Sequence, residues 1–189
     1  MPRVALETTF EAVPAIKRIL GEVDVSLRHA QYALFTIGCE NANSIGMFME
    51  RFARTVASSK KRVLLISDAV VKPTKYMKTE CTFSLTINEF EQLARCNDFD
   101  VVVVAHYGSI ASAPGEVSNL GAHTKALLNY AKCRSCREQP TALVLGVSLF
   151  HSALDRFAFP YQALLQSASA FRVTDKELLV VKSRYGTII

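Results

Sequence analysis

Three short segments hold the residues best suited to chemistry: GCENANS at 38–44, HYGSIASAPG at 106–115 and SLFHS at 148–152. In the first, Gly38 allows a ligand close to the main chain. Asn41, Asn43 and Ser44 stand where a helix begins, so free N–H groups and the helix dipole favour a phosphate there. The second starts at His106 and offers Tyr107 as a stacking surface, with Gly108, Ser109 and Ile110 as backbone donors and walls for a flat heteroaromatic ring. The third adds Ser148 and His151 as hydrogen-bonding groups. Each residue also has a plainer role: Asn and Ser cap helices, and a histidine beside a strand end commonly serves structure.

Other reactive residue types form weaker sets. CRSC at 133–136 has the two-residue gap of a zinc or redox pair, but no second Cys or His pair stands at ligand spacing. Lys132, Arg134 and Arg137 would repel a cation, and no strand precedes the pair as in a thioredoxin-like site. Ser148 or Ser152 with His151 and Asp155 would be the parts of a hydrolase, yet no G-x-S-x-G elbow is present. Lys72, Lys75 and Lys78 would suit the phosphates of a nicotinamide cofactor, although a solvated basic connection explains them as simply.

These segments need a scaffold, and the apolar runs supply one. Residues 32–38 (YALFTIG), 62–67 (RVLLIS), 100–106 (DVVVVAH) and 141–148 (TALVLGVS) are continuous and of strand length, as in strands covered on both faces. Helical spacing lies between them. Within 43–57, Ile45, Phe48, Met49, Phe52 and Val56 share one face, with Asn43 or Ser44 available as a cap. Residues 86–96 open on the capping-box pair Thr86 and Glu89, and 119–133 and 160–171 continue the alternation. Strands alternating with helices imply a parallel sheet. A fifth strand is expected at 171–174 and a further one at 178–182. Thr8 and Glu11 look like a capping box but Pro14 disfavours a long helix, so a short helix near 13–21 is expected. Residues 68–85 read as a lysine-rich connection.

The chain of 189 residues, half of them apolar, can bury a sizeable core. It divides into an extension over 1–30 and one α/β domain over 31–189. No stretch reaches the roughly 18 to 20 uninterrupted apolar residues of a membrane span, so no membrane partner is expected. Five scattered cysteines point to reduced thiols and a cytoplasmic setting. The net charge of +5 suits nucleotides and other anions, but the sequence lacks the dense basic stripe of a dedicated nucleic-acid binder.

The order of elements and the loop after the third strand resemble the flavodoxin-like fold, and within it the NAD(P)H-dependent FMN reductases, a family of quinone, chromate and azo-dye reductases. The family's first loop, G-S-x-R-x-x-S-x-N, is similar to GCENANSIG: Gly38 and Ser44 stay in register, while Cys39, Asn41 and Gly46 stand where Ser, Arg and Asn are usual. Its second loop, P-E-Y-N-G-S-x-P-G followed by K-N-x-L-D-W, is similar to AHYGSIASAPG and the later KALLNY, with Tyr107, Gly108, Ser109, Pro114, Gly115 and Lys125 in common. Ala105 and His106 replace the Pro and Glu.

The resemblance implies a three-layer sandwich whose five-stranded parallel sheet has the order 2-1-3-4-5, with the 101–105 strand beside the first. It implies FMN with its phosphate at 38–44, its ring against 106–110 and further contact from 148–151. NAD(P)H would be the electron donor, a quinone-like small molecule the acceptor, and a homodimer the assembly. The departures in both loops, with the unusual first 30 residues and the apolar tail RYGTII, motivate an alternative: a non-catalytic protein on the same fold that serves assembly with other proteins.

Overall fold

The computed structural model describes residues 4–29, 33–39, 42–67, 69–81, 88, 92, 98–105, 126–127, 129–134, 137, 139–148, 169–173 and 178–182. Two helices and seven strands are assigned in chain order: α1 (Val4–Arg28), β1 (Ala33–Cys39), α2 (Ala42–Ser58), β2 (Val63–Ser67), β3 (Met77–Cys81), β4 (Val101–Val104), β5 (Ala142–Ser148), β6 (Ser169–Val173) and β7 (Leu178–Lys182). Residues 126–127 and 129–134 are also helical. The expected helix at 86–96 falls largely outside the described residues; of the helix expected at 160–171 only 169–171 are described, and they belong to β6, not to a helix.

The α/β class is as the apolar runs imply. Every residue of β2 and β4 is buried. Alternate residues serve opposite faces: Val63, Leu65, Val101, Val103, Ala142 and Val144 join α1 and α2 in one core. Leu64, Val102, Leu143 and Leu145 are equally buried but stand outside that core, on the second face. The apolar stripe of α2 is the expected one, with Ile45, Met49, Phe52 and Val56 fully buried. The helix ends at Ser58 and is closed by Lys60, whose φ of 64° is the left-handed conformation common just past a last turn. Its N–H donates to the Ala57 carbonyl at 3.0 Å.

α1 is one continuous helix over Val4–Arg28, where a short one near 13–21 was expected. Pro14 costs about 3 kcal/mol inside a helix by removing a hydrogen bond. Ile16, Ile19 and Val23 lie at most 2% exposed in the core, and burial of such side chains is worth about 1.5–3 kcal/mol each. Packing therefore offsets the proline.

The sheet order is β3-β2-β4-β5-β1-β6-β7, parallel except for the antiparallel β6–β7 pair. Counted from β2, the four strands β2 to β5 have the order 2-1-3-4. The five-strand order 2-1-3-4-5 counted from β1 does not hold. β4 pairs with β2 and β5, and β1 lies between β5 and β6. Strand length supplies a reason. β1 and β5 each have seven residues and pair along all seven, from Ala33↔Ala142 to Cys39↔Ser148. No other neighbour offers β1 as many partners: β6 pairs with it over five residues, and β4 has four.

β3 forms the edge within the stretch read as a connection. Its sequence, MKTEC, alternates, with Met77 fully buried and Lys78 exposed. Residues 69–76 lead into it. Arg54 Nη2 donates to the Lys72 carbonyl at 3.4 Å, and Thr79 Oγ1 donates to the Val71 carbonyl at 3.1 Å.

A buried guanidinium fastens the amino ends of β4 and β5. Arg134 Nε donates to Thr141 Oγ1 at 3.0 Å and Nη2 donates to the Phe99 carbonyl at 3.0 Å. Nη1 reaches Gln139 Oε1 at 3.1 Å and Asp98 Oδ1 at 3.0 Å. Thr141 Oγ1 donates onward to the Phe99 carbonyl at 2.8 Å, and the Phe99 N–H donates to the Tyr130 hydroxyl at 2.9 Å. Asp100 takes the Arg62 N–H at 2.8 Å, which extends the cluster to the start of β2. The two residues before β4, the residue before β5 and the 126–134 helical stretch thus share one polar knot.

Replacing Arg134 by Met removes the guanidinium from buried Thr141 Oγ1 and the Phe99 carbonyl and is expected to lower unfolding free energy by about 2–4 kcal/mol in urea titration. Tyr130→Phe orphans the Phe99 N–H and should cost about 1–2 kcal/mol at neutral pH. Burial is the main cause raising the Tyr130 pKa above 10.0, against the lowering effects of its Phe99 hydrogen bond and of Arg134. Because the folded state holds this proton more tightly, its contribution is full below the unfolded pKa and is lost as pH rises through the folded one. Above about pH 10 the parent should therefore lose stability more steeply than Tyr130→Phe. Parallel slopes would disprove the linkage.

Candidate functional site

The three candidate segments leave from neighbouring strands. β4, β5 and β1 are consecutive in the sheet, so their carboxyl ends, where ligands bind in open parallel sheets, lie side by side. In register, Val104 stands opposite Leu145, which stands opposite Thr36. β5 and β1 continue together for three more residues, to Ser148 and Cys39.

Gly146 is what allows these segments to meet. A Cβ on this residue would collide with the Ala105 carbonyl oxygen and come within 2.9 Å of Met49 Cγ and 3.0 Å of Ile45 Cγ1. The exit of β4, the body of β5 and the first turns of α2 therefore converge on one residue without a side chain. The Ala105 N–H is held from the other side by the Ile66 carbonyl at 2.8 Å. Sequence reasoning passed over Gly146, although a glycine inside an apolar strand is the recognised sign of close backbone approach.

Gly38 lies within β1, opposite Val147 and Arg172, and so belongs to the strand. Asn43 and Ser44 lie inside the first turn of α2, which begins at Ala42, so neither is the residue preceding the helix. Their backbone N–H groups are among the first four of the helix, which have no partner within it. That turn contains no acidic residue, so no side chain in it opposes an anion. Ser148 ends β5 opposite Cys39. Asn41, His106, Tyr107, Gly108, Ser109, Ile110 and His151 lie outside the described residues.

A phosphate would find unpaired backbone donors in the first turn of α2, which starts three positions after β1 ends. A strand–turn–helix of this kind holds nucleotide di- and triphosphates when its loop reads G-x-x-x-x-G-K-[ST]. Residues 38–45 read GCENANSI and contain no lysine or arginine.

Elsewhere, no group of three His, Cys, Asp or Glu residues is placed for a metal ion among the described residues. Of the CRSC segment, Cys133 is exposed while Arg134 is committed to the knot described above. Among the described residues, no helix is long and apolar enough to cross a membrane. No protein-family model and no curated protein matches the chain.

The close approach at Gly146 is testable against a second glycine. Gly146→Ala is expected to cost about 1–3 kcal/mol in urea unfolding, because the Ala105 main chain must move. Gly46→Ala, where a Cβ in α2 meets nothing within 4 Å, should instead stabilise by about 0.5–1 kcal/mol. Equal effects would refute the convergence.

Proposed function

We propose that the protein binds FMN at the carboxyl ends of β4, β5 and β1 and passes electrons from NAD(P)H to a small acceptor such as a quinone. The observation that carries the reading is the convergence of these three strand ends with the amino end of α2 around Gly146. Backbone N–H groups of the first turn of α2 would hold the phosphate. The segments that continue from Ala105 and Ser148 would meet the ring. Bound flavin would supply the redox chemistry, taking a hydride from reduced nicotinamide and giving two electrons to the acceptor. The chain's task would be to hold and orient it.

A specific observation favours a second reading. β1 is separated from β4 by β5, unlike the order that the flavin-reductase resemblance implies, and no cation stands in 38–45. Phosphate held by neutral donors alone is held less strongly. On this reading the protein is a non-catalytic assembly subunit.

Calorimetric titration with FMN, and with ADP as a phosphorylated ligand lacking the flavin ring, separates the readings. The first expects FMN to bind more tightly than ADP. It also expects Asn41→Arg to tighten FMN by about 1–2 kcal/mol, with a gain that shrinks as salt rises. Tighter binding of ADP would redirect the site to purine nucleotides, and absence of binding by either would leave the assembly reading.

A further inference from the structure

The chain's positive charge is concentrated. Residues 51–78 contain eight Lys or Arg and one Asp, a net charge of +7, so the rest of the chain carries −2. This stretch folds into the second half of α2, β2, the 69–76 connection and β3, the terminal strand of the sheet. Lys72, Lys75 and Lys78 of this stretch therefore lie on or just before the terminal strand β3.

We propose that this β3 edge docks on the surface of an anionic bilayer. Two of the three arginines, the residues that would fork onto individual phosphates, are engaged: Arg54 pairs with Glu50 at 3.1 Å, and Arg62 lies 3.9 Å from Asp98 and 3.6 Å from Asp100. Lys61 pairs with Asp24 at 2.8 Å. The exposed lysines are Lys60, Lys72, Lys75 and Lys78. Lysine is a compact point charge suited to the diffuse field of a headgroup layer. Glu80, half-buried on β3, is the acid of that strand.

Val70 selects a bilayer over a nucleic acid. It is 106% exposed, two residues before Lys72. An aliphatic tip beside lysines gains by entering the headgroup boundary, whereas a phosphodiester backbone offers it nothing. Surface docking needs no spanning helix, so it revises the expectation of no membrane partner without requiring a span.

The test is cosedimentation of the whole chain with phosphatidylcholine vesicles, with and without about 30% phosphatidylglycerol. The proposal expects partition onto the anionic vesicles alone, weakening as salt rises. Each lysine near the surface is worth roughly fivefold in partition, so Lys72→Gln with Lys75→Gln should lower it about 25-fold. Val70→Ser should lower vesicle binding and leave binding to a DNA oligonucleotide unchanged. These side chains are exposed, so the variants should keep the parent's unfolding midpoint. Equal binding to neutral and anionic vesicles, indifference to the lysine changes, or tighter binding to the oligonucleotide than to vesicles would overturn the proposal.

Discussion

Water is excluded from both faces of β2, β4 and β5, and the rest of the structure follows from that condition. A strand shielded on both sides cannot leave its N–H and C=O groups to solvent, so neighbouring strands must meet them. That condition is met over seven residues between β1 and β5, and over four between β4 and each of β2 and β5. It also requires apolar cover on both sides. α1 and α2 supply one of these with Ile16, Ile19, Val23, Ile45, Met49 and Phe52.

The two ends of the sheet are built from opposite materials. At the amino end, Arg134, Thr141, Tyr130 and Asp100 bind the starts of strands through charge-assisted and neutral hydrogen bonds, which locks strand entry. At the carboxyl end, the fit is made by removing atoms: Gly146 has no side chain where the Ala105 main chain and α2 arrive. Rigidity lies at one end and open backbone donors at the other, a division that α/β proteins use to place ligands.

The strands and α2 were legible because their signals are local. Two-sided burial writes itself as VLLIS and VVVV, and the 3.6-residue period of α2 is carried by Ile45, Phe48, Met49 and Phe52. The sheet order was not legible, because pairing is decided between segments far apart in sequence. β3 left a weaker trace, since an edge strand is half-solvated and its alternation competes with turn-forming neighbours such as Pro73. Pro14 misled because local propensity was weighed without the burial that outweighs it. Of the candidate site, the start of α2 near Asn43 and Ser44 was legible from residue types that favour helix ends. Gly146 and Arg134 were not, because their roles arise from contacts that only the fold creates.

The pairing of β1 also bears on how the chain is made. Its partners, β5 and β6, lie more than one hundred positions further along the sequence. β2, β3 and β4, by contrast, pair among near neighbours. During synthesis from the amino end, β1 emerges early and must wait, unpaired, until β5 has been translated. Contacts of such separation slow folding and prolong the exposure of apolar strand. A long helix and an apolar strand held without partners over that interval form the segment most in need of a chaperone.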